Sequence, residues 1–97
     1  MEKYNVGDRV KYRFGGIRPI TGEGVVIGVD GDTYAVFDEG NHSLFDGGSC
    51  VVKEIFAQDI TRVSGKDEQS VALAKYVLEQ HGTRIRRSNA PFVEIPL

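Results

Sequence analysis

The chain has 97 residues, 40% of them hydrophobic, with one cysteine and a formal net charge of −2. This length supports one domain with a modest core, and the lone Cys50 excludes an internal disulfide and favours a reducing, cytoplasmic setting. No apolar run reaches bilayer length and residues 1–5 lack the apolar stretch of a signal peptide, so a soluble protein with no membrane partner is expected.

The charge is uneven. Residues 1–20 carry five Lys or Arg against two acids, residues 21–50 carry six acids and no Lys or Arg, and the remainder is near balance. One fold can therefore present faces of opposite sign.

In chain order, residues 8–14 read as a strand with Val10, Tyr12 and Phe14 on one face and Arg9, Lys11 and Arg13 on the other. Residues 15–22, with three glycines and Pro19, read as a loop. The run Gly22-Glu23-Gly24-Val25-Val26-Ile27-Gly28 is too apolar for a one-sided surface strand, and its glycines permit sharp bending, so residues 23–29 form the second strand. Asp30-Gly31-Asp32 is a hairpin turn into a third strand at 33–37. A polar connection at 38–48 leads to a strand at 49–55, a single helical turn at 56–59 and a short closing strand at 60–63. Val10, Tyr12, Val26, Val36, Val52 and Ile60 are expected to share one core.

The period then changes from two to 3.6. Val71, Ala74, Leu78 and His81 share a helical face with Val77 beside it, predicting an amphipathic helix over 67–81. Asp67 or Ser64 can cap its start and Gly82 is placed to end it. Residues 83–87 alternate, and with the extended run 92–95 they form either a terminal hairpin or a free tail.

The motif Val6-Gly7-Asp8-Arg9-Val10, followed by Phe14-Gly15, Gly22-Glu23-Gly24-Val25-Val26 and Ile60-Thr61-Arg62-Val63, resembles the Tudor-like and KOW-like SH3-like barrels, small modules found as tails on helicases and transcription factors. In the helicase tails the Phe-Gly pair lies closer to the Gly-x-Val run, so residues 17–21 look like an insertion in the first loop. The resemblance covers residues 6–63 and implies a mainly β fold, a five-stranded SH3-like barrel over residues 1–65; the C-terminal α-helix and extended tail over 66–97, read from the change of period, are expected to belong to the same domain. Tudor domains that read methylated side chains use an aromatic cage, for which Tyr34, Phe37 and Phe45 are scattered candidates. The type II dihydrofolate reductases share Gly-Asp-Arg-Val and a segment like Tyr34-Ala35-Val36. Their active pore needs a glutamine and a tyrosine that Val52-Lys53-Glu54-Ile55-Phe56 lacks.

Catalytic chemistry is not indicated. His42 and His81 have no partner at metal-ligand spacing, Asp30-Gly31-Asp32 lacks the remaining ligands of a calcium loop, and the glycines at 22, 24 and 28 do not open a helix as a phosphate cradle must. Cys50, in an apolar run with no activating cation, reads as a packed side chain. Neither a metal nor a cofactor is expected.

Two surfaces stand out as binding candidates. Leu44 and Phe45 sit inside an acidic connection with Asp38, Glu39, His42 and Asp46; they either plug the barrel mouth or form an apolar centre ringed by acids that suits a protein with a basic surface. Arg9, Lys11, Arg13, Arg84, Arg86 and Arg87 form the alternative, a nucleic-acid contact. The expectation is a non-catalytic binding module, a small protein-interaction adaptor or accessory protein, of the kind carried by mobile elements. Its helix packs over the barrel or against a second copy in a homodimer.

Overall fold

The computed structural model describes residues 3–40 and 48–96. β1 (Arg9–Phe14) alternates as its sequence requires, with Val10 and Tyr12 buried and Lys11 and Arg13 in solvent. β2 (Ile20–Asp30) turns back through Gly31, at φ 61°, into β3 (Thr33–Asp38). β4 (Cys50–Phe56) is followed by a 3-10 turn (Ala57–Asp59) and β5 (Ile60–Ser64). Then come α1 (Glu68–Arg87) and β6 (Phe92–Glu94). The strands form one antiparallel sheet in the order β5-β1-β2-β3-β4-β6.

The protein is mainly β with one C-terminal helix, and the expected closed five-stranded barrel is corrected to an open, curled six-stranded sheet. β6 occupies the outer edge of β4, pairing Val51 with Val93, so β4 is not free to close the sheet on itself. The terminal hairpin is corrected as well: residues 83–87 are the last turns of α1, and β6 pairs with β4 instead.

The sheet buries both faces. On the inner, concave face Val10, Tyr12, Val26, Val36, Val52 and Ile60 lie in one cluster with Tyr4, Tyr34, Cys50 and Ile55. On the outer face Val25, Ile27, Phe37 and Val51 pack under Ala74, Val77 and Ile85 of α1. The consecutive buried run Val25-Val26-Ile27 supplies both layers, which is why it reads as more apolar than a one-sided strand. Two bulges bend the sheet between these layers. One places Ile27 as an extra residue in β2, and the other sets Lys53 and Glu54 of β4 against Ala35.

The helix begins as expected, with the Asp67 carboxylate accepting the Ser70 N–H at 2.7 Å. Its buried stripe is Ser70, Ala74, Val77, Gly82 and Ile85, rotated from the expected face so that Val71 and Leu78 sit on its flank, partly in water. Gly82 does not end it. The C-terminal carbonyls of Ile85 and Ser88 instead accept hydrogen bonds from the Lys53 ammonium, 3.0 Å from Ile85 O, which satisfies helix-end acceptors and places a cation against the negative end of the helix dipole.

Candidate functional site

The two surfaces expected to bind partners are rearranged by the fold. Asp38 is fully buried: its carboxylate accepts the Tyr12 hydroxyl at 2.6 Å and the Gly40 N–H at 2.8 Å. It is a core residue, a correction to its expected place in a surface patch. Glu39 is exposed and pairs with Arg9 at 3.2 Å, while His42, Leu44, Phe45 and Asp46 lie outside the described residues.

The buried polar group around Asp38 is structural. A Cβ on Gly22 would overlap the Asp38 carboxylate and lie 2.7 Å from the Tyr12 hydroxyl, so glycine there is what lets the two approach. Burial, then the hydrogen bond and charge of Asp38, push the Tyr12 phenol well above its usual range. Burial and Asp38 likewise push the Cys50 thiol up to about 11, leaving it protonated near neutrality and inert as a nucleophile.

The basic residues are split into separate groups. Arg9 is taken up by Glu39, Lys11 lies across from Glu23 in the β1–β2 register, and Arg13 faces Thr21. Arg84, Arg86 and Arg87 are all exposed in the last turn of α1. They do not share a face: at 3.6 residues per turn, positions 84 and 86 point roughly 160° apart. Arg9 acts electrostatically on Asp67 at the other end of the helix, about 28 Å from position 86 at 1.5 Å per residue.

What the fold builds instead is a cleft of about 470 Å³ between the C-terminal half of α1 and the β2–β3 hairpin. Its floor is Ile27, Ala35 and Ile85, and its walls include Val29, 50% exposed, and Leu78, 37% exposed. At one end it meets Lys53, Glu54 and Arg86, and these three also line an adjoining polar cleft of about 370 Å³ that runs along residues 88–91. Glu54 has a φ of 60° and is the one non-glycine residue with positive φ among those described, held there by the β4 bulge.

Nothing in local sequence marks this cleft. Its parts come from positions 27–35, 53–54 and 78–86, and the one available hint is Gly82, a glycine inside an otherwise strong helical pattern.

Among the described residues no three His, Cys, Asp or Glu side chains are grouped to hold a metal ion, and no helix is long and apolar enough to cross a membrane. Comparison with known proteins finds no matching family model, no matching curated protein and no matching solved structure.

Proposed function

We propose that this chain is a non-catalytic binding module, a small protein-interaction adaptor, built on an SH3-like strand order. The topology supports the second part: β5-β1-β2-β3-β4, with a 3-10 turn just before β5 and a long bent β2 shared between the sheet's two halves, is the arrangement the Tudor-like resemblance implies, here as an open curl. The observation that carries the first part is the cleft. Val29 and Leu78, two of the large apolar residues left substantially in water, stand in one concavity over an apolar floor. Apolar surface gathered in a concave site gains free energy when a partner covers it.

A nucleic-acid module is the second reading, favoured by the three exposed arginines at the end of α1. Against it, Arg9 has a carboxylate partner and Lys11 lies across from Glu23, which lowers the positive potential of the β1 stripe.

Selection from a displayed random-peptide library tests the first reading. Peptides are expected to be enriched on the unchanged protein and lost on Leu78→Ser, whose site is exposed enough to leave the fold intact. Enrichment that ignores Leu78→Ser, or no enrichment, would count against it. A mobility shift with duplex and single-stranded oligonucleotides between 50 and 200 mM salt tests the second, since binding through phosphate contacts weakens steeply over that range.

A further inference from the structure

We propose that the cleft takes an extended acidic segment of the protein partner, one apolar side chain entering between α1 and the β2–β3 hairpin and a following carboxylate pairing with the Arg86 guanidinium. This rests on the protein-interaction reading above and names its partner. It also differs from the basic partner that the acidic connection after β3 suggests: the charged lining of this cleft is balanced, Asp30 and Glu54 against Lys53 and Arg86, and the acidic preference rests on the Arg86 guanidinium alone, which has no carboxylate partner among the described residues.

Gly82 provides the first argument. Glycine is the poorest helix former after proline, and this one lies inside α1 rather than at its end. Its φ is not in the left-handed region, so no backbone requirement selects it. A Cβ there would meet only the Arg86 side chain, at 3.2 Å from Nη1 and 3.9 Å from Cζ. The missing side chain therefore gives the guanidinium slightly more room against the helix wall, at the mouth of the cleft.

Arg86 in that position is available. Its guanidinium donates to Thr83 Oγ1 at 3.4 Å and has no carboxylate partner among the described residues. A planar guanidinium with free donors is matched to a carboxylate, and the pair is strengthened beside an apolar wall. Arg84 and Arg87 add positive potential without touching the cleft.

The opposite wall is held rigidly. Lys53 ties β4 to the last turn of α1 through the Ile85 and Ser88 carbonyls, which sets the spacing between helix and sheet. Next to it Glu54 is kept at positive φ, a conformation that costs a non-glycine residue free energy and recurs where a side chain must be aimed at a ligand. Glu54 has no cation partner among the described residues, and it faces the junction where a bound segment's main-chain N–H groups would pass.

An extended segment fits better than a compact small molecule. The apolar cleft does not end at Arg86 but continues into the polar one along residues 88–91, and both are open to solvent along their length. A chain with an apolar residue followed by acids follows that change of lining. An enclosed ligand would leave half of the groove empty.

The test uses fluorescein-labelled Gly-Ser-Leu-Asp-Asp-Ser and its neutral counterpart Gly-Ser-Leu-Asn-Asn-Ser, with binding to the full chain read by fluorescence anisotropy. The acidic peptide is expected to bind on the order of tenfold more tightly, and Arg86→Gln to bring the two to the same affinity. Gly82→Ala is expected to weaken the acidic peptide several-fold while the melting temperature stays level or rises, an outcome that a purely structural glycine would not give. Equal affinity of the two peptides for the unchanged protein overturns the proposal, as does no binding of the acidic peptide at millimolar concentration, or an acid preference that survives Arg86→Gln. A free protein that sediments as a dimer with Leu78 at its interface also overturns it, since a second copy would then fill the cleft. If library selection yields cleft binders with no acid preference, this inference alone fails. If it yields no binders at all, the protein-interaction reading fails first.

Discussion

The two faces of the one sheet are stabilised in different ways. The inner face closes around polar anchors: the Tyr4 hydroxyl donates to Ile60 O at 2.9 Å, Tyr12 donates to buried Asp38, and Arg62 lies over the Tyr4 ring at 5.1 Å while pairing with Asp8 at 3.2 Å. The outer face is aliphatic apart from Phe37 and is covered by a helix that leaves one side open. Directional bonds fix the inner face in a single arrangement, whereas apolar packing under a helix tolerates a concavity at its margin. The cleft therefore lies on the second face, where an opening costs fewest hydrogen bonds.

The sharpest way to break this division is Val36→Asp, in the centre of the inner cluster. A carboxylate buried there without a partner is expected to exceed the few kcal/mol of stability of a chain this size, so the variant should lose its cooperative melt by circular dichroism. A soluble variant with a sharp transition would show that the inner face is not the principal core.

Phe37→Ala probes the outer face, where Phe37 is fully buried beneath α1, and is expected to cost about 3–5 kcal/mol. Hydrogen exchange should then show amides of α1 losing protection while those of β1 and β2 keep theirs. Equal loss throughout would mean that the two faces unfold as one unit.

Alkaline titration separates the faces again, because Tyr12 and Cys50 both belong to the inner one. The Cys50 thiol is raised to about 11 by burial and by Asp38, against about 8.5 in an unfolded chain. Its contribution to stability is fully present below about 8.5 and is lost as pH rises through about 11, because the unfolded chain releases its proton first. The expected loss is about 3 kcal/mol across that window. Denaturation by urea at stepped pH should show it, and Cys50→Ala should flatten the slope.

The smallest effect is a gain. The Ser70 hydroxyl, in the buried stripe of α1, makes no hydrogen bond of full geometry among the described residues, although it lies near enough to the Asp67 carboxylate to favour its charged form. Ser70→Ala removes that polar atom and improves helix propensity, for an expected stabilisation of about 0.5–1 kcal/mol by chemical denaturation. A loss of stability would mean that the hydroxyl is satisfied by the Asp67 carboxylate or by bound water.

How much of this was legible depended on the range of the interaction responsible. The alternation in β1, the turn at Gly31 and the Asp67 cap are local, and they stand where the sequence places them. The end of α1 was misplaced because Ile85 fits a strand alternation with Arg84 and Arg86 as well as it fits a helical stripe with Val77. What decides between them is Lys53, more than thirty positions earlier in the chain. Asp38 reads as one acid among several, and only its partner Tyr12, 26 positions away, makes it a core residue. The cleft has the same origin: a glycine in a helix, a bulge in a strand and a hairpin wall have no shared signature until the fold brings them together.

The sixth strand also bears on how the chain reaches this fold. β6 begins at Phe92, 36 positions after β4 ends at Phe56. At about 5–20 residues per second of synthesis, the outer edge of β4 waits about 2–7 s for its own strand to be made. That edge carries Val51 and Val52 with unpaired backbone groups, a ready template for the same segment of a neighbouring nascent chain. Docking of β6 removes that template, because Phe92–Glu94 take up the edge of β4 at residues 50–52.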